Sequence, residues 1–319
     1  MIKKLSIIIP MYNVAQYLEK CVSSVYNLGL NEGEFEIILV NDGSPDNSLA
    51  VATSLTKDKK NVKIISQENK GLGGARNTGL KNAEGQYVLF LDADDILILQ
   101  DYNFLFSGKE LYQLGSKNVS TEFKILSSYT PPNIESISGI DFWSQYEIIP
   151  SACNKIYKRD FLLEYDLCFK EHIYSEDIEF NTRVMFHVQK LESRSDVLQY
   201  FIQSPNSITR NVSKSRQKKL FDDLKQILKI LLSFKKYNSN SQKHEDYFNK
   251  VTADLGLGII NFGLKTDVHL SEVKEIKSIL ISNGVLFYKM DYYNRKKRLF
   301  KNIIRVPFAL PFLRLIYKK

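Results

Sequence analysis

The sequence has few of the residues that build disulfide or zinc frameworks. Its three cysteines, Cys21, Cys153 and Cys168, are scattered and odd in number, which excludes a disulfide framework and a zinc knuckle. The four histidines show no metal-binding spacing. We therefore expect a protein of a reducing compartment.

Long apolar runs are also missing. No stretch reaches the ~20 uninterrupted apolar residues that span a bilayer. The N-terminal run follows two lysines, is broken by Pro10 and lacks a small-residue cleavage site, so it predicts a first strand and not a signal peptide. We expect a cytoplasmic protein.

Acidic residues are fewer than basic ones, 36 against 44, which gives a net charge of +8. Such an excess favours polyanions, including nucleic acid, anionic lipid and diphosphate. The 319 residues are enough for one large domain, or for a domain with an appendage.

Short β-rich runs alternate with helical patterns over the first hundred residues. The predicted strands are 5–9, 35–40, 62–66 and 87–91, and the predicted helices are 15–26, 48–55 and 74–82. Continuous apolar strands separated by helices indicate an α/β fold with a Rossmann-like, mostly parallel sheet covered on both faces. In such sheets the ligand crevice lies beyond the carboxyl ends of the strands.

Each of these strands ends in a polar turn. The turns read PMYN, NDGSPDNS, QENKGLGGARN and DADD. The last contains Asp92, Asp94 and Asp95, whose like charges are costly to crowd together without a cation. Hard oxygen ligands suit Mg²⁺ or Mn²⁺, so Asp92 and Asp94 are candidate metal ligands, and the small Ala93 between them allows a ligand near the backbone. A helix cap or a solvated loop is the alternative for any single aspartate.

The other turns suit the organic part of a nucleotide. Asp42 can accept a hydrogen bond from a base N–H. Tyr12 is placed to lie along a base, although packing is a common role for such a tyrosine. Arg76 follows the glycine-rich GLGGAR and favours an anion, with a surface salt bridge as the alternative.

These motifs resemble a known family. The segments IIIPMYN, VNDGSPDNS, ENKGLGGARNTGL and GQYVLFLDADD are similar to the successive motifs of family 2 glycosyltransferases, and a weaker similarity returns in residues 152–185. The resemblance implies the GT-A fold and inverting transfer of a sugar, usually from a UDP-sugar, to an acceptor hydroxyl. It places Pro10, Tyr12, Asp42, Asn69 and Arg76 around the nucleotide, and Asp92 and Asp94 at ribose, diphosphate and metal.

Inverting transfer needs a base that takes the acceptor proton. HIYSEDIEF contains Glu176 and Asp177, and the family's Glu-Asp motif puts the base on Asp177. A helix cap is the alternative role for Asp177, and the two roles are compatible. Lys155 and Arg210 are weaker candidates for contact with acceptor or diphosphate, or are solvated charges.

The predicted organisation is a GT-A domain over residues 1–215, with a nucleotide-binding half at 1–97 and an acceptor half at 98–215, followed by a helical region at 216–319. Residues 101–150 are expected to pack as an irregular insertion against the sheet edge. Within the helical region, a loop is expected over KKYNSNSQKHED.

The basic charge concentrates at the C-terminus. Residues 286–319 mix ten Lys/Arg with one acid and many apolar side chains, which predicts an amphipathic segment on an anionic inner leaflet. The alternative is a helix packed on the catalytic domain with a basic outer face. No recognition-helix motif or aromatic-studded sheet accompanies the charge, so nucleic acid is not an expected partner.

We therefore predict a cytoplasmic, peripheral membrane enzyme that assembles a bacterial surface polysaccharide from a UDP-sugar donor and a saccharide or lipid-linked acceptor, with a homodimer as a compatible state. A non-catalytic sugar-nucleotide-binding subunit is the main alternative. A nucleotidyltransferase is disfavoured, because PMYN is not the glycine-rich, lysine-bearing loop it requires after the first strand.

Overall fold

A computed structural model describes residues 3–146, 148–203, 213–288 and 295–317. The chain divides into two compact units. The first runs to His172 and resumes at Glu176, and it contains every described strand. The second consists of Ile173–Ser175 and the C-terminal helices.

The first unit is built on one large sheet. Its strands are β1 Leu5–Met11, β2 Phe35–Asp42, β3 Val62–Gln67, β4 Tyr87–Phe90, β5 Ile96–Leu97, β6 Leu111–Val119, β7 Ile125–Tyr129, β8 Ile134–Ile137, β9 Lys155–Lys158 and β10 Leu191–Ile202. The order along the main path is β3-β2-β1-β4-β9-β6-β10-β5. Strands β1 to β4 pair in parallel, while β9 is antiparallel to both of its neighbours. The predicted α/β fold with a mostly parallel sheet is confirmed.

Within the described part of the first unit, seven helical segments accompany the sheet. They are α1 Leu18–Val25, α2 Ser48–Thr56, α3 Gly71–Lys81, the 3₁₀ segment Asn103–Ser107, α4 Gly139–Gln145, α5 Arg159–Glu164 and α6 Glu176–His187. Strands β1 and β2 are buried along their whole length, as expected of strands covered on both faces. One apolar cluster joins alternate residues of β1, β2 and β4 to α1.

The expectation for residues 101–150 is wrong. This stretch contains β6, which lies between β9 and β10 inside the sheet and is almost entirely buried. The strand was missed because its sequence, LYQLGSKNV, has polar residues where a buried strand is usually apolar. Gln113 and Ser116 are buried nevertheless.

The second unit is helical, as predicted. Its helices are α7 Lys214–Asn238, α8 Gln242–Lys265, α9 Leu270–Ser282, α10 Arg295–Arg305 and α11 Ala309–Tyr317. The loop between α7 and α8 is only residues 239–241, much shorter than expected, because both helices extend into the polar KKYNSNSQKHED stretch. Ser241 is the N-cap of α8, and its side chain accepts a hydrogen bond from the backbone N–H of His244.

The last helix has two apolar faces. Leu310 and Leu313 are buried in the core of the second unit. Phe312, Leu315 and Ile316, spaced as one helical face, are exposed, and so is Phe308, which directly precedes the helix and is 88% exposed. The exposed face of α11 is therefore apolar, unlike the basic outer face that belonged to the alternative for this tail. We call these four residues the α11 stripe.

Candidate active site

The parallel register of β1 to β4 brings their polar turns to one edge of the sheet. Met11 lies opposite Asn41 and Asp42 lies opposite Gln67, so the first three strands end level with one another. β4 pairs with β1 and continues directly into the DADD turn. The expected collection of polar residues at the carboxyl ends is present.

The first two turns are fastened to each other. The backbone N–H of Asn13 donates to the Ser44 hydroxyl at 2.7 Å, and that of Ala15 donates to the Asp46 carboxylate at 3.0 Å. Burial alone would raise the pKa of Asp46, but hydrogen bonds from Ser48, Ala15 and Ser44 outweigh it and lower the pKa to about 2. The sequence analysis did not predict that Asp46 fastens the two turns. The sequence does place this aspartate two residues before the serine that begins α2, a pattern that favours such turns.

Asp42 lies buried at the end of β2 and organises the third turn. Its Oδ1 accepts from Gln67 Nε2 at 2.7 Å and from the backbone N–H of Lys70 at 2.8 Å. Asn69 Nδ2 donates to the Asp42 carbonyl at 3.0 Å. The structure thus brings Asp42 and Asn69 together. Since Oδ1 is used within the fold, the predicted hydrogen bond from a base N–H would go to the other carboxylate oxygen, Oδ2.

The remaining nucleotide candidates from the first strand differ in exposure. Pro10 is buried within β1 opposite Val40, so it shapes the strand end through its backbone. Tyr12 is 46% exposed and does not serve the packing role considered as its alternative.

Arg76 is the centre of a buried ionic chain. Its Nη2 donates to Asp92 Oδ1 at 2.7 Å and its Nη1 donates to Glu176 Oε1 at 2.5 Å, while the side chain is 3% exposed. The surface salt bridge considered as its alternative is therefore wrong. Burial opposes the charge of Arg76, but Asp92 and Glu176 outweigh it and raise its pKa further. This chain joins the DADD turn to the start of α6.

The aspartates of the DADD turn have different surroundings. Asp95 is buried and accepts from the backbone N–H of Ile202 at 2.8 Å, so it anchors the end of β10. Burial and the charge of Asp92 raise the pKa of Asp94 to about 6. Ala93 is buried between its two aspartates. The turn therefore holds more negative charge than its neighbours neutralise.

The donor set fits a hard divalent cation that is shared with a ligand. No group of three or more His, Cys, Asp or Glu side chains arranged for a metal occurs in the described ranges. Asp92 and Asp94 supply two carboxylates, and the pKa of Asp94 is raised first by burial and then by the negative charge of Asp92, which a cation would offset. Mg²⁺ commonly binds one or two carboxylates together with substrate phosphates, and the pair suits that mode.

Asp177 lies half-buried in the first turn of α6, where the sequence placed it. Burial and the charge of Glu176 raise the pKa of Asp177 to about 7, although Arg76 and Lys155 lower it. It is the second residue of the helix and not its cap. A carboxyl group with a pKa near neutrality can accept a proton in the physiological pH range.

The glycines before Arg76 have a packing role. A side chain at Gly73 would meet the carbonyl of Lys170 at 2.4 Å, so α3 approaches the backbone of the segment that leads to α6. Asn77 fastens the same segment, since its Nδ2 donates to the Phe169 carbonyl at 2.9 Å and its Oδ1 accepts from the Phe169 N–H at 2.8 Å. Sequence reasoning assigned this turn to an anion and missed Asn77.

The structure contradicts both expectations for Lys155. The side chain is fully buried, and its Nζ donates to three internal acceptors: the carbonyls of Ile149 and Ser151, and Asn154 Oδ1. It therefore neither reaches a substrate nor lies in solvent. Arg210, the companion candidate, falls outside the described residues.

Comparison with known proteins agrees with this architecture. Residues 6–101 match the sequence model of Glycosyl transferase family 2. The chain is 33% identical over 223 residues to the uncharacterized glycosyltransferase EpsJ of Bacillus subtilis, covering 66% of this chain and 64% of EpsJ. It is 28% identical over 207 residues to a poly(ribitol-phosphate) beta-glucosyltransferase of Bacillus spizizenii, covering 62% of this chain and 32% of the relative. The chain spans less than two thirds of the length of these curated relatives.

A solved structure shares the fold. The crystal structure of residues 1–349 of Staphylococcus aureus TarS in complex with UDP aligns with a TM-score of 0.70 at 20% identity, over 99% of this chain and 90% of that one. Residues 6–101 are similar to glycosyl transferase family 2, and the chain shares the fold of the TarS structure, in line with the predicted GT-A fold.

Proposed function

We propose that this chain transfers a sugar from a UDP-sugar to an acceptor hydroxyl with inversion at the anomeric carbon. The nucleotide lies against the turns of Tyr12, Asp42 and Asn69, and the diphosphate lies toward Asp92 and Asp94. Structures of TarS in complex with UDP and with UDP-GlcNAc support a UDP-sugar donor for this fold.

In the proposed step the acceptor oxygen attacks the anomeric carbon from the face opposite the diphosphate. The new carbon–oxygen bond forms as the bond to the diphosphate oxygen breaks, and the hydroxyl proton passes to Asp177. A Mg²⁺ or Mn²⁺ ion held by Asp92 and Asp94 would supply positive charge for the departing diphosphate.

One observation carries the proposal most directly. Asp177 has a pKa of about 7 and stands one residue from Glu176, which is joined through Arg76 to the aspartate turn. The residue next to the proposed base is thus joined to the DADD turn by one buried chain of ion pairs. A protein that only binds a sugar nucleotide needs the turns but not a carboxyl group with a pKa near neutrality.

The test is a panel of UDP-sugars scored for UDP release in the presence of Mn²⁺. We expect one donor to be consumed and Asp177→Asn to reduce turnover by about 10²–10⁴-fold, the usual contribution of a general base. The variant should bind UDP as the wild type does, measured by calorimetry.

Asp160→Asn is the matched control, because Asp160 lies in the first turn of α5 and its side chain is 78% exposed. It should retain full turnover. Equal turnover by wild type and Asp177→Asn would exclude Asp177 as the base. UDP binding without turnover of any donor by the wild type would favour the non-catalytic subunit.

We further propose that the acceptor belongs to a bacterial cell-surface polymer. The support is the naming of relatives: one is the poly(ribitol-phosphate) beta-glucosyltransferase, and a further relative, 41% identical over 93 residues, is the minor teichoic acid biosynthesis protein GgaB of Bacillus subtilis. These names describe those proteins. For this chain the polymer is tested by offering poly(ribitol phosphate) and a lipid-linked saccharide as acceptors.

The C-terminal helices are proposed to lie on the inner face of the membrane. Across the described ranges, no helix combines the length and the apolar character needed to cross a bilayer. The α11 stripe is apolar and exposed, and the preceding helix α10 presents exposed Lys296, Lys297 and Arg298. Apolar side chains beside cations suit the headgroup region of an anionic bilayer.

Co-sedimentation with vesicles tests this contact. Phe308→Ser with Phe312→Ser should release the protein from phosphatidylglycerol vesicles without affecting folding, because both side chains are exposed. Tyr237→Ser is the control, since Tyr237 is a 78% exposed aromatic on α7. Unchanged sedimentation of the double variant would exclude the α11 stripe as the membrane contact. Equal binding of the wild type to neutral and anionic vesicles would exclude a role of charge in that contact.

A further inference from the structure

Lys155 is a buried lysine whose charge acts on the proposed base. Lys155 begins β9, opposite Gln113 of β6, and its side chain is 0% exposed. An isolated ammonium group is costly to bury, so its burial requires partners. The three partners of its Nζ are the carbonyls of Ile149 at 3.0 Å and Ser151 at 2.7 Å, and Asn154 Oδ1 at 2.9 Å.

These bonds fix the loop that precedes β9. Two other side chains hold the same loop: the Tyr157 hydroxyl donates to the Ala152 carbonyl at 3.2 Å, and Asn181 Nδ2 donates to the Pro150 carbonyl at 2.8 Å. Asn181 lies one helical turn after Asp177 and also donates to the Asp177 carbonyl at 3.1 Å. The loop and the first turn of α6 are therefore one hydrogen-bonded assembly.

No carboxylate pairs with Lys155 in these contacts, and burial lowers the pKa of its ammonium group to about 7, although the charge of Asp177 raises it. Its three hydrogen-bond acceptors are neutral, whereas Arg76 shares its charge between the carboxylates of Asp92 and Glu176. Of the ionisable groups that act on Asp177, Glu176 and Asp92 disfavour its anionic form, and Arg76 and Lys155 favour it.

We infer that Lys155 is a positioning residue for Asp177. Its ammonium group holds the 149–154 loop against the first turn of α6 and supplies the positive charge that keeps the Asp177 carboxylate ionised. This inference rests on the proposed function, because it concerns the same base. Its geometry does not depend on the identity of the sugar or the acceptor.

The inference predicts a shift in the titration of Asp177. In Lys155→Met the cation is lost while side-chain length is kept, so the pKa of Asp177 should rise from about 7 by about one pH unit, because the charge of Lys155 lowers that pKa in the wild type. A role confined to packing would lower activity or stability without moving this pKa.

Infrared difference titration measures it directly. The Asp177 carboxyl band is isolated by subtracting the titration of Asp177→Asn, and the measurement needs no turnover. Tyr157→Phe is the matched control, because it removes the hydroxyl that bonds Ala152 of the same loop and Asn181 of α6 without removing a charge. We expect its Asp177 pKa to stay at the wild-type value.

The outcomes separate the inference from the proposed function. A folded Lys155→Met with an unmoved pKa, or an equal rise in Tyr157→Phe, would overturn the role of Lys155. If Lys155→Met does not fold, Lys155→Arg replaces it as the test. Because arginine keeps the positive charge, the pKa of Asp177 should stay at the wild-type value or fall, and a rise would overturn the inference. A wild type that turns over no UDP-sugar removes the proposed function, while the infrared result still reports on Lys155.

Kinetics provide the second readout. Because Asp177 must be ionised to accept a proton, kcat/KM should fall as pH drops below about 7 in the wild type. In Lys155→Met this acid limb should move to higher pH by the same interval as the infrared titration. In Tyr157→Phe only the height of the profile should change.

Discussion

Buried carboxyl groups occur at both ends of the sheet, and their surroundings are opposite. At the amino end, Glu36 on β2 accepts from the Ser6 hydroxyl at 2.7 Å, the Glu84 N–H at 2.6 Å and Lys3 Nζ at 3.0 Å. Burial alone would raise the pKa of Glu36, but these bonds and the Lys3 charge lower it. At the carboxyl end the pKa of Asp94 is raised to about 6.

The difference shows which carboxyl group is structural. Glu36 finds its partners within the fold, so its charge stabilises the native state. Asp94 is surrounded by other aspartates, so its charge destabilises the native state until a cation or ligand arrives. The same residue chemistry therefore serves stability at one end of the sheet and, under the proposed function, binding at the other.

Arg76→Met should have the largest effect on stability at the carboxyl end. Removing the guanidinium leaves Asp92 and Glu176 without their shared cation, which should cost about 3–5 kcal/mol in the free energy of unfolding. Urea denaturation measures the loss. Arg159→Met, which removes a more exposed ion pair with Asp160, should stay close to wild type. Equal losses in the two variants would contradict the buried chain.

Glu36→Gln should have the next largest effect, a loss of about 2 kcal/mol at neutral pH. The folded pKa of Glu36 is lowered, so its stabilisation is complete above the ordinary value of 4.5 and is lost as pH falls through the folded pKa. The gap between wild type and variant should therefore narrow in acid. Urea denaturation at pH 7 and pH 3 measures the difference in the free energy of unfolding between wild type and variant. An equal difference at the two pH values would show that side-chain shape, not charge, causes the loss of stability.

Asp94→Asn should have the smallest effect and the opposite sign. The folded pKa is raised to about 6, so the charge destabilises the fold as pH rises above the unfolded value, and fully above pH 6. In EDTA at pH 8 the variant should be more stable by about 1 kcal/mol, because the half-buried carboxylate remains partly solvated. The gain should vanish near pH 3.

Adding Mn²⁺ and UDP sharpens the same comparison. Ligand binding should raise the melting temperature of wild type more than that of Asp94→Asn, since the variant has lost one of the two proposed carboxylate ligands. Glu36→Gln should show the full ligand-induced rise. An equal rise in wild type and Asp94→Asn would remove Asp94 from the metal site.

Much of the structure of residues 1–97 could be predicted from local sequence pattern. Apolar runs such as residues 35–40 predicted buried strands, and the intervening helices predicted a parallel sheet whose carboxyl ends meet at one edge. That was enough to place Asp42 and the DADD turn at one edge of the sheet. β6 was missed because polar Gln113 and Ser116 are buried there, and burial of polar groups depends on partners that periodicity does not report.

Residue types and their order along the chain were therefore sufficient for the fold class and for the chemistry of the four turns. The three-dimensional arrangement settled which charges pair. Arg76 meets Glu176 across a separation of 100 residues, and Lys155 turns inward onto its own loop. The physical reason is that hydrophobic periodicity records the local environment of each segment, whereas an ion pair depends on strand order and on which loops the sheet brings together.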